Sequence, residues 1–285
     1  MNLIDYIGSC NRHDLQNFIP FMVDGQRVGQ VRPAFADRLL EWDRVFQREN
    51  DALHLLTPPA ATLEQRSLPL RQVLETLVER SLLRHLHGEQ YPVTPGGPGD
   101  GLLLIDRAAA PWFGIRAFGQ HMNGYVRAPE GLLMWVARRS SDRVHFPGKL
   151  DNIVAGGLPY GIPLARNLAK ECWEEAGIPA ALAGNARPVG AVTYVVETEK
   201  GLKPDTLYCY DLELPADFRP RCTDGEVESF QLWPVEQVQA VMQEGEAFKL
   251  NCNLVIIDFL LRHGYLGPEE KDYLSLVSGL HAPLP

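Results

Sequence analysis

The sequence predicts an α+β protein built in two parts. Three observations carry that expectation. Strand-like and helix-like stretches are interspersed along the chain rather than segregated. The length of 285 residues is about twice that of an ordinary domain. Residues 91–101 (YPVTPGGPGDG) hold three prolines and four glycines, a composition that predicts no regular element and marks a join. The expected layout is a small α+β unit over residues 1–110 and a second α+β unit over residues 111–285.

Composition narrows the function classes. At 45% hydrophobic and 22% charged residues, the chain has ample material for a core, which excludes disorder as its main state. The formal net charge of −9 argues against a nucleic-acid polymer as partner, because that needs a positive footprint. The 22 prolines and 25 glycines exceed ordinary usage and predict many loops, where sites tend to lie. The five cysteines (Cys10, Cys172, Cys209, Cys222 and Cys252) are scattered and lack CxxC spacing, so free thiols in a reducing compartment are expected. The start, MNLIDYIGSC, has no basic region and carries Asp5, a poor signal peptide. The best apolar run, residues 254–261, is broken by Asp258 and falls well short of the roughly 18 residues a membrane span needs. A soluble cytoplasmic protein without a membrane partner is the expectation.

The elements follow in order. Residues 18–24 and 27–32 read as two strands around a Gly25-Gln26 turn. Residues 34–46 carry helical spacing through Phe35, Leu39, Leu40, Trp42 and Phe46. Residues 68–85 form a stronger amphipathic helix with Leu70, Val73, Leu74, Leu77, Val78, Leu82 and Leu83 on one side. His54, His85 and His87 are isolated and point to no chemistry. Beyond the join, residues 102–105 make a short apolar strand, and residues 119–127 and 131–137 make two strands around Pro129-Glu130. Further strands are expected at 185–198, 206–214 and 226–233, and helices at 164–176, 235–243 and 250–263. No internal repeat is visible.

Residues 155–178 read AGGLPYGIPLARNLAKECWEEAGI. This is a Gly-rich loop feeding a helix, with Pro163 in the tolerated first turn and Gly177 at the C-terminal end. At about 100° per residue, Glu171, Glu174 and Glu175 share one narrow face. Three carboxylates there repel one another, and they sit at the helix end whose dipole prefers cations. A hard divalent cation, Mg²⁺ or Mn²⁺, would offset both penalties.

This segment resembles the Nudix box, Gx5Ex7REUxEExGU, where U is a bulky aliphatic residue. Gly156 takes the first Gly, and Glu171, Glu174, Glu175, Gly177 and Ile178 take their places without a gap, with Cys172 at the first U. Ile162 stands where the first Glu belongs and Lys170 where the Arg belongs. In the family those two residues brace each other, so losing the carboxylate makes Lys tolerable in place of a bidentate Arg. The flanks, LLMWVARRSSDRVHFPGKLDNIVAGGLPYG, PFMVDGQRVGQVRP and FADRLLEW, are similar to a branch in which the Nudix domain follows an N-terminal domain of unknown function, DUF4743. Its plant and fungal members are similar to, or fused with, thiamin pyrophosphokinase.

The resemblance implies a Nudix α/β/α sandwich with a mixed sheet, a small α+β domain in front, and a homodimer as in many members. It implies hydrolysis of a diphosphate linkage in a small organic diphosphate: thiamin diphosphate, its oxidised analogues, or a nucleoside diphosphate derivative. Glu174 and Glu175 are the first metal ligands, Glu171 binds the ion or deprotonates water, and the Gly156 carbonyl completes the shell. A further Glu is expected from DGEVESFQLW, where strand alternation would put Glu226 and Glu228 on one face. Arg138, Arg139, Arg143 and Lys149 form a basic run just before the box, the candidate phosphate contacts. His121, His145, Trp135, Trp173 and Tyr194 read better as packing or surface residues than as site residues. The competing classes are a sensor that kept the fold, left open by Ile162 and Lys170, and a prenyl diphosphate isomerase, for which no Cys-and-Glu pair is evident.

Overall fold

The computed structural model describes residues 1–58 and 61–285. Its elements are α1 (Leu3–Cys10), β1 (Ile19–Val23), β2 (Gln26–Val31), α2 (Pro33–Leu39), β3 (Phe46–Glu49), β4 (Ala52–Leu55), α3 (Leu63–Glu79), β5 (Gln90–Val93), β6 (Leu103–Asp106) and α4 (Ala110–Phe113). They continue through β7 (Ala117–Ala128), β8 (Gly131–Arg139), β9 (Leu150–Asn152), β10 (Val154–Gly157), α5 (Leu164–Ala176), α6 (Ala180–Ala183), β11 (Arg187–Thr198), β12 (Gly201–Glu213), β13 (Val227–Pro234), α7 (Val235–Glu244), α8 (Cys252–Arg262) and α9 (Tyr273–Gly279).

The first sheet runs β2-β1-β4-β3. Its β1–β2 hairpin turns on Asp24 (φ 48°) and Gly25 (φ 74°), not on Gly25-Gln26 as expected. Both central residues are left-handed, the geometry a two-residue hairpin requires. Asn50 (φ 49°) and Asp51 (φ 58°) turn β3 into β4 in the same way. The helix expected over 34–46 therefore stops at Leu39, and Phe46 opens a strand. The Trp42 carbonyl accepts the Val45 and Phe46 amides at 2.8 Å each and closes the turn between them.

α3 starts earlier than its apolar stripe suggests. Thr62 caps it, accepting the Gln65 amide, while the Gln65 side chain accepts the Thr62 amide at 2.9 Å. That capping box nucleates the helix ahead of Pro69, which sits inside it. Its end at Glu79 is followed by Ser81 at φ 59°. The apolar face, Leu70, Val73, Leu74 and Leu77, packs into a core with β1, β2, β4, α2 and Phe113 of α4. Part of the Pro/Gly-rich stretch is also regular: Tyr91, Pro92 and Val93 belong to β5, which pairs antiparallel with β6. Pro92 is tolerated because β5 and β6 form a sheet of only two strands.

The second sheet runs β11-β12-β7-β8-β13, with β10 added to the first half of β7 and β9 to β8. Only β12 and β7 pair in parallel, so the sheet is mixed. One face carries Met122, Ile153, Val154 and Tyr210 against Leu168, Cys172 and Ala176 of α5. The other carries Tyr125, Val136, Tyr194 and Cys209 against α7, α8 and α9. This is the α/β/α sandwich. α1 joins that second face, far from the elements that follow it: Leu3, Tyr6, Ile7 and Cys10 are buried there. The Tyr6 hydroxyl lies 2.6 Å from the Met242 carbonyl and 2.7 Å from that of Gly245. The two parts also meet at the β11–β12 hairpin, where Arg32 pairs with Glu197 at 2.8 Å and donates to the Thr198 carbonyl at 3.0 Å.

Candidate active site

α5 presents the acidic face. Leu168, Cys172 and Ala176 bury its apolar side, which fixes the rotation of the helix about its axis. Gly177, at φ 62°, ends it, with its amide donating to the Trp173 carbonyl at 3.0 Å. A side chain at that position would meet the Arg221 carbonyl 2.7 Å from its Cβ. Trp173, expected in the core, is 55% exposed on the outer side of the helix.

Glu175 points inward and is 6% exposed. Its Oε2 accepts the Ala155 amide at 2.7 Å. Burial pushes its carboxyl up to about 8, with Asp151 and Glu171 adding to the rise. Glu171 is also raised, first by burial and then by Glu174 and Glu226, against the opposing charge of Lys170. Its carboxyl lies over Gly156: a Cβ there would stand 2.5 Å from Glu171 Cδ. Glu174 is more exposed and takes Lys170 Nζ at 2.6 Å, while the same ammonium lies 3.3 Å from Glu171 Oε1. Lys170 thus bridges two of the three carboxylates from its place in the box.

The loop before α5 is held by amides that the sequence reading missed. Asn167, 1% exposed, donates to Gln120 Oε1 and to the Gly157 carbonyl, both at 2.9 Å. Gln120 in turn donates to the Leu164 carbonyl at 3.0 Å. A polar residue one place before Leu168, on the side of the helix that carries the apolar stripe, was the available signal. These neutral groups tie the loop to β7 and β10 in a chain with Ile162 at the usual Glu position.

The basic run does not gather at the box. Arg139 is buried and donates to Asp151 Oδ2 at 2.9 Å and to the His145 carbonyl at 3.1 Å. Arg138 donates to the Gly148 carbonyl at 2.9 Å, Lys149 reaches the Glu246 carbonyl, and Arg143 pairs with Glu226. Nor do Glu226 and Glu228 share a strand face. β13 begins at Val227, and the pairing with β8 slips between Val227 and Ser229, so Glu228 sits in a bulge. Of the two, Glu226 is the one whose charge reaches Glu171.

Beneath Glu175 lies a buried polar network. Asp151 is shared by Arg139, by Lys249 at 3.3 Å and by the Cys252 thiol at 2.5 Å. His121 Nδ1 lies 2.8 Å from Asn152 Oδ1. The donor atoms of His121, Asp151 and Cys252 all lie within 4.8 Å of one another, a group with metal-ligating chemistry. Two cations already neutralise Asp151, and burial and Asp151 push the Cys252 thiol well above its ordinary range. The set therefore suits a structural ion-pair network better than a bound cation.

Similar proteins place the chain. The family described as "Domain of unknown function (DUF4743)" matches residues 2–117 and the NUDIX domain matches residues 119–252. "Nudix hydrolase 20, chloroplastic" of Arabidopsis thaliana is 43% identical over 284 residues, covering 96% of this chain and 76% of that protein. "Nudix hydrolase 24, chloroplastic" of the same plant is 41% identical over 276 residues, with the same two coverages of 96% and 76%. A crystal structure of DR0079 from Deinococcus radiodurans is 21% identical at a TM-score of 0.44, the alignment covering 59% of this chain and 96% of that one. On the box geometry, the domain matches and the plant relatives, the chain belongs to the Nudix hydrolases, diphosphatase-type enzymes, with a DUF4743 domain in front.

Proposed function

We propose that the chain hydrolyses a diphosphate linkage in a small organic diphosphate and that it needs Mg²⁺ or Mn²⁺ to do so. The observation that carries this reading is the acidic face of α5: Glu171, Glu174 and Glu175 lie together, Lys170 is the one cation of the helix paired with them, and burial penalises the charge on Glu171 and Glu175. Such a set fits a divalent cation, whose charge would lower both carboxyls.

Glu174 and Glu175 would hold the ion, with the Gly156 carbonyl and Glu226 as further oxygen donors. Bound there, it would polarise phosphoryl oxygens and lower the pKa of a coordinated water. Glu171, anchored over Gly156, is placed to hold the ion or to take the proton of the attacking water. Lys170 keeps Glu171 and Glu174 apart in charge until then. The leading substrate classes are thiamin diphosphate and its oxidised analogues, followed by nucleoside diphosphate derivatives such as ADP-ribose.

The test is product formation by the full chain with Mg²⁺ or Mn²⁺: inorganic phosphate or pyrophosphate from thiamin diphosphate, its oxo and oxy analogues and nucleoside di- and triphosphates, and the two phosphomonoesters from ADP-ribose and NADH. Turnover that disappears with a chelator and returns with metal supports the reading. No turnover of any of them with either ion overturns it.

A further inference from the structure

We propose that the leading domain supplies half of the substrate site: Tyr91 and Arg107 hold the second phosphoryl group of the diphosphate, the one not engaged by the acidic helix. The inference rests on the hydrolase reading for the position of the first phosphoryl group.

The geometry turns on two neighbouring glycines. Gly156 and Gly157 are consecutive in β10, so their absent side chains face opposite sides of the sheet. On one side the space is taken by Glu171. On the other, a Cβ at Gly157 would stand 2.9 Å from the Tyr91 hydroxyl and 3.5 Å from Arg107 Nη1. Among the described residues β10 pairs with β7 alone, and α5 covers its other edge, with Glu175 accepting the Ala155 amide and Asn167 donating to the Gly157 carbonyl. The acidic helix thus lies on one side of β10 and a phenol and a guanidinium on the other, both close enough for the Glu171 charge to raise them.

The Tyr91 ring is buried, the residue being 5% exposed, and burial pushes its hydroxyl up to about 12. That hydroxyl makes no hydrogen bond to protein among the described residues and is left free to donate to a ligand oxygen. Arg107 stacks over the Tyr91 ring at 5.8 Å and pairs with Glu89 at 2.9 Å through Nη1. Its remaining donors have no protein partner among the described residues, and its side chain is 41% exposed. In a chain of net charge −9, a guanidinium with free donors on the far side of Gly157 from the acidic helix matches a ligand with two phosphoryl groups.

The probes are methylenediphosphonate, which cannot be hydrolysed, and inorganic phosphate, titrated calorimetrically into the full chain with saturating Mg²⁺. The wild type should bind methylenediphosphonate more tightly than phosphate. Arg107→Gln should weaken the diphosphonate about tenfold or more and phosphate by much less, erasing the preference. Arg107→Lys should restore part of it. Tyr91→Phe removes only an oxygen without a protein partner, so the fold survives, and it should weaken the diphosphonate severalfold. Diphosphonate affinity unchanged in both Arg107→Gln and Tyr91→Phe overturns the inference and leaves the hydrolase reading standing. Absence of turnover by the wild type on every diphosphate overturns the hydrolase reading instead.

Discussion

Glu171 lies over Gly156 so closely that a Cβ on the glycine would stand 2.6 Å from Glu171 Cγ and 2.9 Å from Oε1. The backbone of β10 is extended there, so the glycine is needed for space and not for its φ. Gly156→Ala should leave the fold in place at a cost of roughly 1–3 kcal/mol and push the Glu171 carboxyl off its perch. Metal-dependent turnover should fall at least about tenfold, read as kcat across a Mg²⁺ titration. Wild-type kcat in this variant would show that the contact is incidental.

Glu174→Gln removes a proposed metal ligand and one partner of Lys170. Turnover should drop by about a hundredfold or more, and the Mg²⁺ needed for half-activation should rise. Circular dichroism and melting temperature should stay near wild type, because Glu174 is partly exposed, its partner Lys170 is half-exposed, and Gln keeps its size. Full activity would mean that the ligand assignment is wrong.

Asn167→Leu strips the donors from Gln120 Oε1 and the Gly157 carbonyl. Each group left buried and unpaired costs about 1–3 kcal/mol, so roughly 2–6 kcal/mol in total is expected in urea unfolding. An unchanged urea midpoint would rule out the amide tie as the brace of this loop.

His121 is buried, and burial together with Lys249 pushes it down to about 4. The unfolded chain binds this proton near pH 6.5, so between about 6.5 and 4 the unfolded state holds more protons than the native one. Stability should therefore be fully present above about 6.5 and fall as pH drops toward 4, by on the order of 3 kcal/mol from this group. His121→Gln should flatten that part of the stability curve relative to wild type. Parallel curves for the two proteins would contradict the assignment.

Tyr6 fastens α1 to the Nudix half, 1% exposed and donating to the Met242 carbonyl in the last turn of α7 and to the Gly245 carbonyl just after it. Tyr6→Phe should cost about 1 kcal/mol through the lost hydrogen bond, and Tyr6→Ala about 3–5 kcal/mol through the cavity. In both, proteolytic susceptibility should rise around α7, α8 and α9, which share its core, more than around α2 and α3. The reverse order would place α1 with the leading domain.

Local signals were legible in the sequence because local rules make them. The period of Leu168, Cys172 and Ala176, Pro163 before the helix and Gly177 after it define α5 at Leu164–Ala176. The same spacing puts Glu171, Glu174 and Glu175 on one face. Misreadings came where two local signals competed. Helical spacing through Phe46 outweighed the Asn50-Asp51 turn that makes 46–55 a hairpin. Proline and glycine around residue 95 hid the β5 strand that begins at Gln90.

The sequence alone determined the family, the acidic helix and the class of chemistry, since each depends on residues within a turn or two of one another. Tertiary structure decided what surrounds that helix. Hydrophobic periodicity says that a side chain is buried, but not against which partner. That is why α1 packs on the far half of the chain, why Arg139 serves Asp151 instead of a phosphate, and why Glu228 bulges away from Glu226. It also brings Tyr91 and Arg107 to the edge of Gly157, a meeting of distant segments that depends on how the two cores pack together.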